Sequence, residues 1–110
     1  MTAQHHALGI DIGGTGIKAA VVDTRNGRFT TSRRRVRTPK PATTEAVAGA
    51  VRELVQGLDP GSFGAVGVGF PSAIKDGIAM TAVNMHDSWL DARPADLIGQ
   101  TLGLRVAVLN

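Results

Sequence analysis

Cysteine and tyrosine are absent from the 110 residues, and aromatic side chains are scarce, with three phenylalanines and one tryptophan. Without cysteine, neither a disulfide framework nor a thiolate metal site can form, so packing alone must hold the interior. The phenylalanines stand apart at Phe29, Phe63 and Phe70. No aromatics interleave with the basic residues to stack bases, which weighs against nucleic acid as a partner. No apolar run is long enough to cross a bilayer, and the six residues before Ala7 contain no apolar signal segment. The expectation is a soluble, cytoplasmic protein with no membrane partner. A strong net charge is lacking too, since 12 basic and 9 acidic residues leave only +3. The basic excess gathers in "SRRRVRTPKP", Ser32 to Pro41, so the local field there outweighs the total.

What is present is 43% hydrophobic content in 110 residues, enough for one domain around one core. Ala7 to Asp11 reads as a short buried strand and Ile17 to Asp23 as a second. Asn26-Gly27 tolerates the positive φ of a tight hairpin, which predicts a third, antiparallel strand over Arg28 to Val36. Pro39 and Pro41 then break regular structure. In "TTEAVAGAVRELVQGL" the apolar residues Val47, Val51, Leu54 and Leu58 recur at helical spacing, with Thr43 or Thr44 as N-cap and Gly57 as a stop. "GAVGVGFP" suits a buried central strand ending at Pro71, and Asp76-Gly77 a turn between two short extended pieces. Pro94 starts a second helix that runs through Gln100, and "LRVAVLN" closes the chain as a last buried strand. This order predicts an α/β domain with a mixed, partly antiparallel sheet.

The stretch "LGIDIGGTGIKAAVVD", Leu8 to Asp23, carries the chemistry. Glycines between two strands allow backbone amides to point into one concavity and approach a phosphate closely, and Thr15 adds a hydroxyl. Asp11, at the carboxyl end of the first strand, is placed to hold magnesium through water while the turn takes phosphate oxygens. A strand rather than a helix follows Gly16 and no GK[ST] occurs, which excludes both the dinucleotide fingerprint and the Walker A loop. The competing reading is a tight hairpin with no ligand.

"DIGGTGIKAAVVD" resembles the first phosphate motif of the sugar-kinase and actin superfamily, and its Gly16-Ile17-Lys18 form is most similar to the ROK family of sugar kinases. "GVGFPSAIKDGIAMTAVNMHDSWL" resembles the same family, with Ser72 standing where many members have glycine. Together with "TPKPAT", "NMHDSW" and the terminal "VLN", the likeness is nearest to the polyphosphate glucokinases and runs from Leu8 to Asn110. It implies a ribonuclease H-like lobe of the actin and hexokinase type. It further implies a phosphate site of Asp11, Gly13, Gly14, Thr15 and Gly16, with Lys18 as a nearby positive charge, and magnesium at Asp11. Asn84 and Asn110 match positions at or near the sugar, where a carboxamide offers both donors and an acceptor to a diol. Trp89 is placed either as a wall of the sugar site or as a loop anchor, and His86 as a solvated residue rather than a base. Alternation on a strand sends Arg33, Arg35 and Arg37 to one face as a basic row suited to polyphosphate, or else as charges that guard an edge.

The resemblance implies phosphoryl transfer from polyphosphate or ATP to the 6-hydroxyl of glucose, by a homodimer when full length. A ROK kinase using ATP only and a ROK-type sugar-sensing repressor are the alternatives. Residues 1–110 correspond to the amino-terminal lobe of a two-lobe kinase, with the second lobe outside this chain. In the family an aspartate follows the strand matching "VAVLN" and acts as general base. The 110 residues contain no catalytic base by this reading and are expected to be inactive alone.

Overall fold

The computed structural model describes residues 5–82 and 85–109. Strand β1 (His6–Ile12) and strand β2 (Gly16–Asp23) form an antiparallel pair, from His6 opposite Asp23 to Ile12 opposite Ile17. β2 then pairs antiparallel with two further strands, β3 (Arg28–Phe29) and β4 (Arg34–Arg37). A helix, α1 (Thr44–Val55), leads to β5 (Ala65–Gly69), which lies parallel to β1. After the small hairpin of β6 (Ile74–Lys75) and β7 (Ile78–Ala79), helix α2 (Pro94–Leu102) leads to β8 (Ala107–Leu109), parallel to β5. The main sheet therefore runs β3-β2-β1-β5-β8 with β4 also on β2, a mixed sheet as the element order predicts.

One face of this sheet is the core. Leu8, Ile10 and Ile12 of β1, Ile17, Ala19 and Val21 of β2, and Val66 and Val68 of β5 are buried with Val47, Val51 and Leu54 of α1 and Ile98 of α2. Each strand alternates, so the opposite face carries Gly9, Asp11, Lys18, Ala65 and Gly67, all exposed. The buried central strand expected from "GAVGVGFP" is thus buried on one face only. The last strand, β8, pairs with β5 alone among the described residues, and Ala107 on it is exposed.

The single third strand expected over Arg28 to Val36 is broken into β3 and β4. At the break, Thr30 N–H donates to Val21 O at 2.8 Å while Val21 N–H donates to Thr31 Oγ1 at 3.0 Å. A side-chain oxygen replaces a backbone carbonyl there, so the ladder is interrupted for want of a backbone partner. Thr43 is the N-cap of α1, its Oγ1 accepting from Ala46 N–H at 3.1 Å. The carboxyl end of that helix is satisfied by Arg34, whose guanidinium donates to Leu54 O at 3.2 Å and Gln56 O at 2.7 Å. α2 runs two residues past the expected Gln100 and stops where Gly103 adopts φ 69°.

The β2–β3 turn is held by Asp23, which accepts from Arg25 Nε at 3.1 Å and from a second guanidinium nitrogen at 2.9 Å. These bonds hold the Asp23 carboxyl at about 2, against its ordinary 3.8. Because the folded value lies below the unfolded one, the stabilisation is complete above about pH 4 and drains away as the pH falls toward about 2. Melting temperatures measured down this range should drop less steeply for Asp23→Asn than for the wild type. Superimposable profiles would show that the Arg25 clamp contributes nothing to acid sensitivity.

Candidate functional site

The β1–β2 register brings the sequence-predicted phosphate residues to one end of the sheet. Asp11 stands opposite Lys18 on β2 and beside Gly69 on β5, and Lys18 stands opposite Arg35 on β4. Gly69, Asp11, Lys18 and Arg35 therefore form one row across four strands on the open face, with Asp11, Lys18 and Arg35 exposed. Asp11 makes no ion pair or hydrogen bond among the described residues, so its carboxylate is open to solvent. The turn of residues 13–16 lies directly beyond this row.

The turn is tight. Gly13 N–H donates to Gly16 O at 2.9 Å, and a Cβ on Gly13 would lie 2.9 Å from that same oxygen. Gly16 has a different constraint: a Cβ there would lie 2.7 Å from a terminal guanidinium nitrogen of Arg35. Neither glycine has the positive φ that favours this residue; at Gly13 the close approach of a backbone oxygen requires it, whereas at Gly16 the neighbour is the end of a side chain. Thr38 and Lys40 both bond the turn, Thr38 Oγ1 donating to Gly13 O at 2.6 Å and Lys40 Nζ to Gly14 O at 2.8 Å. In the sequence Lys40 stands out only as part of a basic stretch, and Thr38 carries no motif of its own. Its signal was available as a β-branched hydroxyl residue at the end of a strand that pairs with the turn.

The basic row is divided by the structure. Arg35 and Arg37 alternate outward on β4, with Arg37 opposite Gly16. Arg33 lies before the strand, its guanidinium 5.5 Å from the centre of the Phe29 ring, a cation–π contact. The expected three-residue row is thus two residues plus a neighbour, because the ladder breaks at Thr30 and Thr31. Between the two ends of the open face lies a trough of about 440 Å³ whose floor includes Gly9, Gly67 and Gly69. Asp11 and Lys18 border it at one end, Phe29 and Arg33 at the other.

On the sugar side, Asn84 and Asn110 lie outside the described residues. Trp89 is 0% exposed, packed 4.5 Å from the Phe70 ring centre, and its indole N–H donates to Ala42 O at 2.9 Å. It has neither an open ring face nor a free donor, so of the two sequence readings the loop anchor describes its place. His86 caps the one-turn helix Asp87–Trp89 by accepting from Ser88 N–H through Nδ1 at 2.9 Å. Ser72 is buried, and its hydroxyl donates to Thr81 O at 2.5 Å, tying the two ends of the β6–β7 hairpin together. No group of three or more His, Cys, Asp or Glu side chains that would enclose a metal occurs among the described residues. No helix among them is long and apolar enough to cross a membrane.

Residues 7–110 match the ROK family. The chain belongs to that family. A polyphosphate glucokinase of Mycobacterium tuberculosis is 41% identical over 110 residues, which cover 99% of this chain and 41% of that protein. The crystal structure of an inorganic polyphosphate/ATP-glucomannokinase from Arthrobacter sp. strain KM superposes with a TM-score of 0.89 at 41% identity, over 97% of this chain and 44% of that one. A ROK family glucokinase from Streptomyces griseus, solved with glucose and AMPPNP, superposes with a TM-score of 0.78 at 35% identity, over 96% of this chain and 33% of that one. The chain thus spans less than half the length of these ROK relatives. Its fold is that of the ROK sugar kinases, of the actin and hexokinase type.

The two turn glycines should differ in their tolerance of a methyl group. At Gly16 the obstacle is the end of a flexible arginine, whereas at Gly13 it is a backbone oxygen that cannot withdraw. Gly13→Ala should therefore lower the unfolding free energy by about 1–3 kcal/mol, and Gly16→Ala by clearly less. Urea titrations of both variants check this, and equal losses would show that Arg35 is fixed against Gly16.

Proposed function

We propose that this stretch is the phosphate- and sugar-binding lobe of a two-lobe glucokinase. The enzyme would transfer a phosphoryl group from polyphosphate or ATP to the 6-hydroxyl of glucose. The observation that carries the reading is the row of Asp11, Lys18 and Arg35 at the mouth of a glycine turn. The likeness to polyphosphate glucokinases and to a polyphosphate/ATP-glucomannokinase supports the choice of donor and sugar.

Phosphoryl transfer asks little covalent chemistry of the protein; it asks for positioning and for charge opposite the phosphate oxygens. The amides of the turn and the exposed Thr15 hydroxyl supply neutral donors, while Lys18 and Arg35 supply positive charge. Arg37 extends that charge along β4 and Arg33 lies beyond it, a span that only a long polyanion reaches all at once. Asp11 fits magnesium, which keeps several waters and takes one or two carboxylates together with substrate phosphates. It is exposed, unpartnered among the described residues and the single acidic group in its row. When bound there, the ion would offset charge on the phosphate oxygens. For the sugar, the carboxamides of Asn84 and Asn110 are the proposed partners, on the strength of the family motif.

Two outcomes test the reading in a full-length enzyme carrying this stretch. Asp11→Asn should lower kcat by about 100-fold with both donors and leave the KM for glucose nearly unchanged, since the interaction strengthens in the transition state. Wild-type kcat would remove Asp11 from the site. Replacing Arg33, Arg35 and Arg37 together with alanine should raise the KM for polyphosphate about tenfold more than the KM for ATP, a gap that narrows as salt is added. Equal effects on both donors, or no use of polyphosphate by the wild type, would leave an ATP-only sugar kinase.

A further inference from the structure

We infer that Thr38 and Lys40 are positioning residues for the phosphate turn: they hold its carbonyls at the back so that its amide N–H groups face the ligand. This placement rests on the turn being the phosphate site, as proposed above. Four consecutive carbonyls accept hydrogen bonds from inside the chain. Gly13 O takes Thr38 Oγ1 at 2.6 Å, Gly14 O takes Lys40 Nζ at 2.8 Å, Thr15 O takes Thr38 N–H at 3.0 Å, and Gly16 O takes Gly13 N–H at 2.9 Å.

A trans peptide is planar and directs its N–H opposite to its C=O. Fixing the carbonyls of Gly13 and Gly14 therefore fixes the N–H groups of Gly14 and Thr15, neither of which has a partner among the described residues. Two adjacent glycines have little conformational preference of their own, so the direction of these amides must come from outside the turn. Thr38 is suited to supply it. It is 1% exposed, β-branched and hence stiff at χ1, and it grips the turn with both its hydroxyl and its backbone N–H. Lys40 is exposed and adds a positive charge to the same grip.

The test is a titration of the ¹⁵N-labelled chain with tripolyphosphate, following the Gly14 and Thr15 amide resonances at low and at high ionic strength. In the wild type both amides should shift. Thr38→Val, which removes a hydrogen bond but no charge, should bind about tenfold more weakly at both ionic strengths, and Thr38→Ser should restore binding. Lys40→Gln should lose more at low salt and keep part of its loss at high salt, where charge is screened. Wild-type affinity for both Thr38→Val and Lys40→Gln at high salt would overturn the positioning role and leave the phosphate site standing. If Thr38→Val does not fold, Lys40→Gln decides: a loss that persists at high salt supports the role, and full recovery overturns it. Absence of any shift in the wild type would overturn the phosphate reading and this inference with it.

Discussion

The burial of Leu8, Ile10 and Ile12 against the helices governs everything on the other side of the sheet. Because side chains alternate along a strand, sealing these three into the core leaves Asp11 no choice but the open face. The antiparallel register with β2 then does the same to Lys18, since Ile17 and Ala19 on either side of it are buried. β4 follows, with Val36 opposite Ile17 on the core side and Arg35 opposite Lys18 on the open side. A slip of one residue in either pairing would turn the slipped strand's charges toward the core and its apolar residues toward the open face. The chemistry of the site is thus fixed by the packing of residues that never touch it.

Much of this was legible in the order of residues. The Asn26-Gly27 hairpin, the period of α1 and the glycine turn between two apolar runs rest on local backbone preferences, which tertiary contacts do not overrule here. What could not be read was which apolar segments are buried on one face only. In "GAVGVGFP" the glycines count as apolar and make the run look continuous, yet Gly67 lies on bare surface with nothing within 4 Å of a Cβ position. The break between β3 and β4 was equally hidden. It depends on Thr31 placing its hydroxyl where a carbonyl would otherwise pair with Val21, a choice of rotamer rather than of residue type.

The arginine run shows how little a charge cluster says by itself. Arg33, Arg34 and Arg35 are consecutive, but the first lies over Phe29, the second reaches under the sheet to close the end of α1, and the third crosses Gly16. Strand parity separates Arg34 from Arg35, and the break at Thr30 and Thr31 separates Arg33 from both. Arg34 bonds two carbonyls that would otherwise be left without partners at a helix end, so its role is structural although its neighbours are available to an anion. Charge counted along the sequence merges three distinct environments.

The segment from Thr38 to Thr44 joins features that the sequence presents as separate motifs. At its start Thr38 and Lys40 hold the glycine turn of residues 13–16. Further on, Ala42 O accepts from both His86 N–H and the Trp89 indole, and Thr44 N–H donates to Ser88 Oγ at 3.1 Å. At its end Thr43 caps α1. Pro39 and Pro41 restrict the backbone between these anchors, so little slack is available for one end to move without the other. The burial of Trp89 therefore reaches beyond its own one-turn helix: through Ala42 it fixes the strap that holds the turn proposed to face the phosphate. Phosphoryl transfer needs its groups in register before any bond moves, and in this chain a seven-residue strap with one buried indole at its back physically links the turn proposed for the phosphate to the segment of His86 and Trp89.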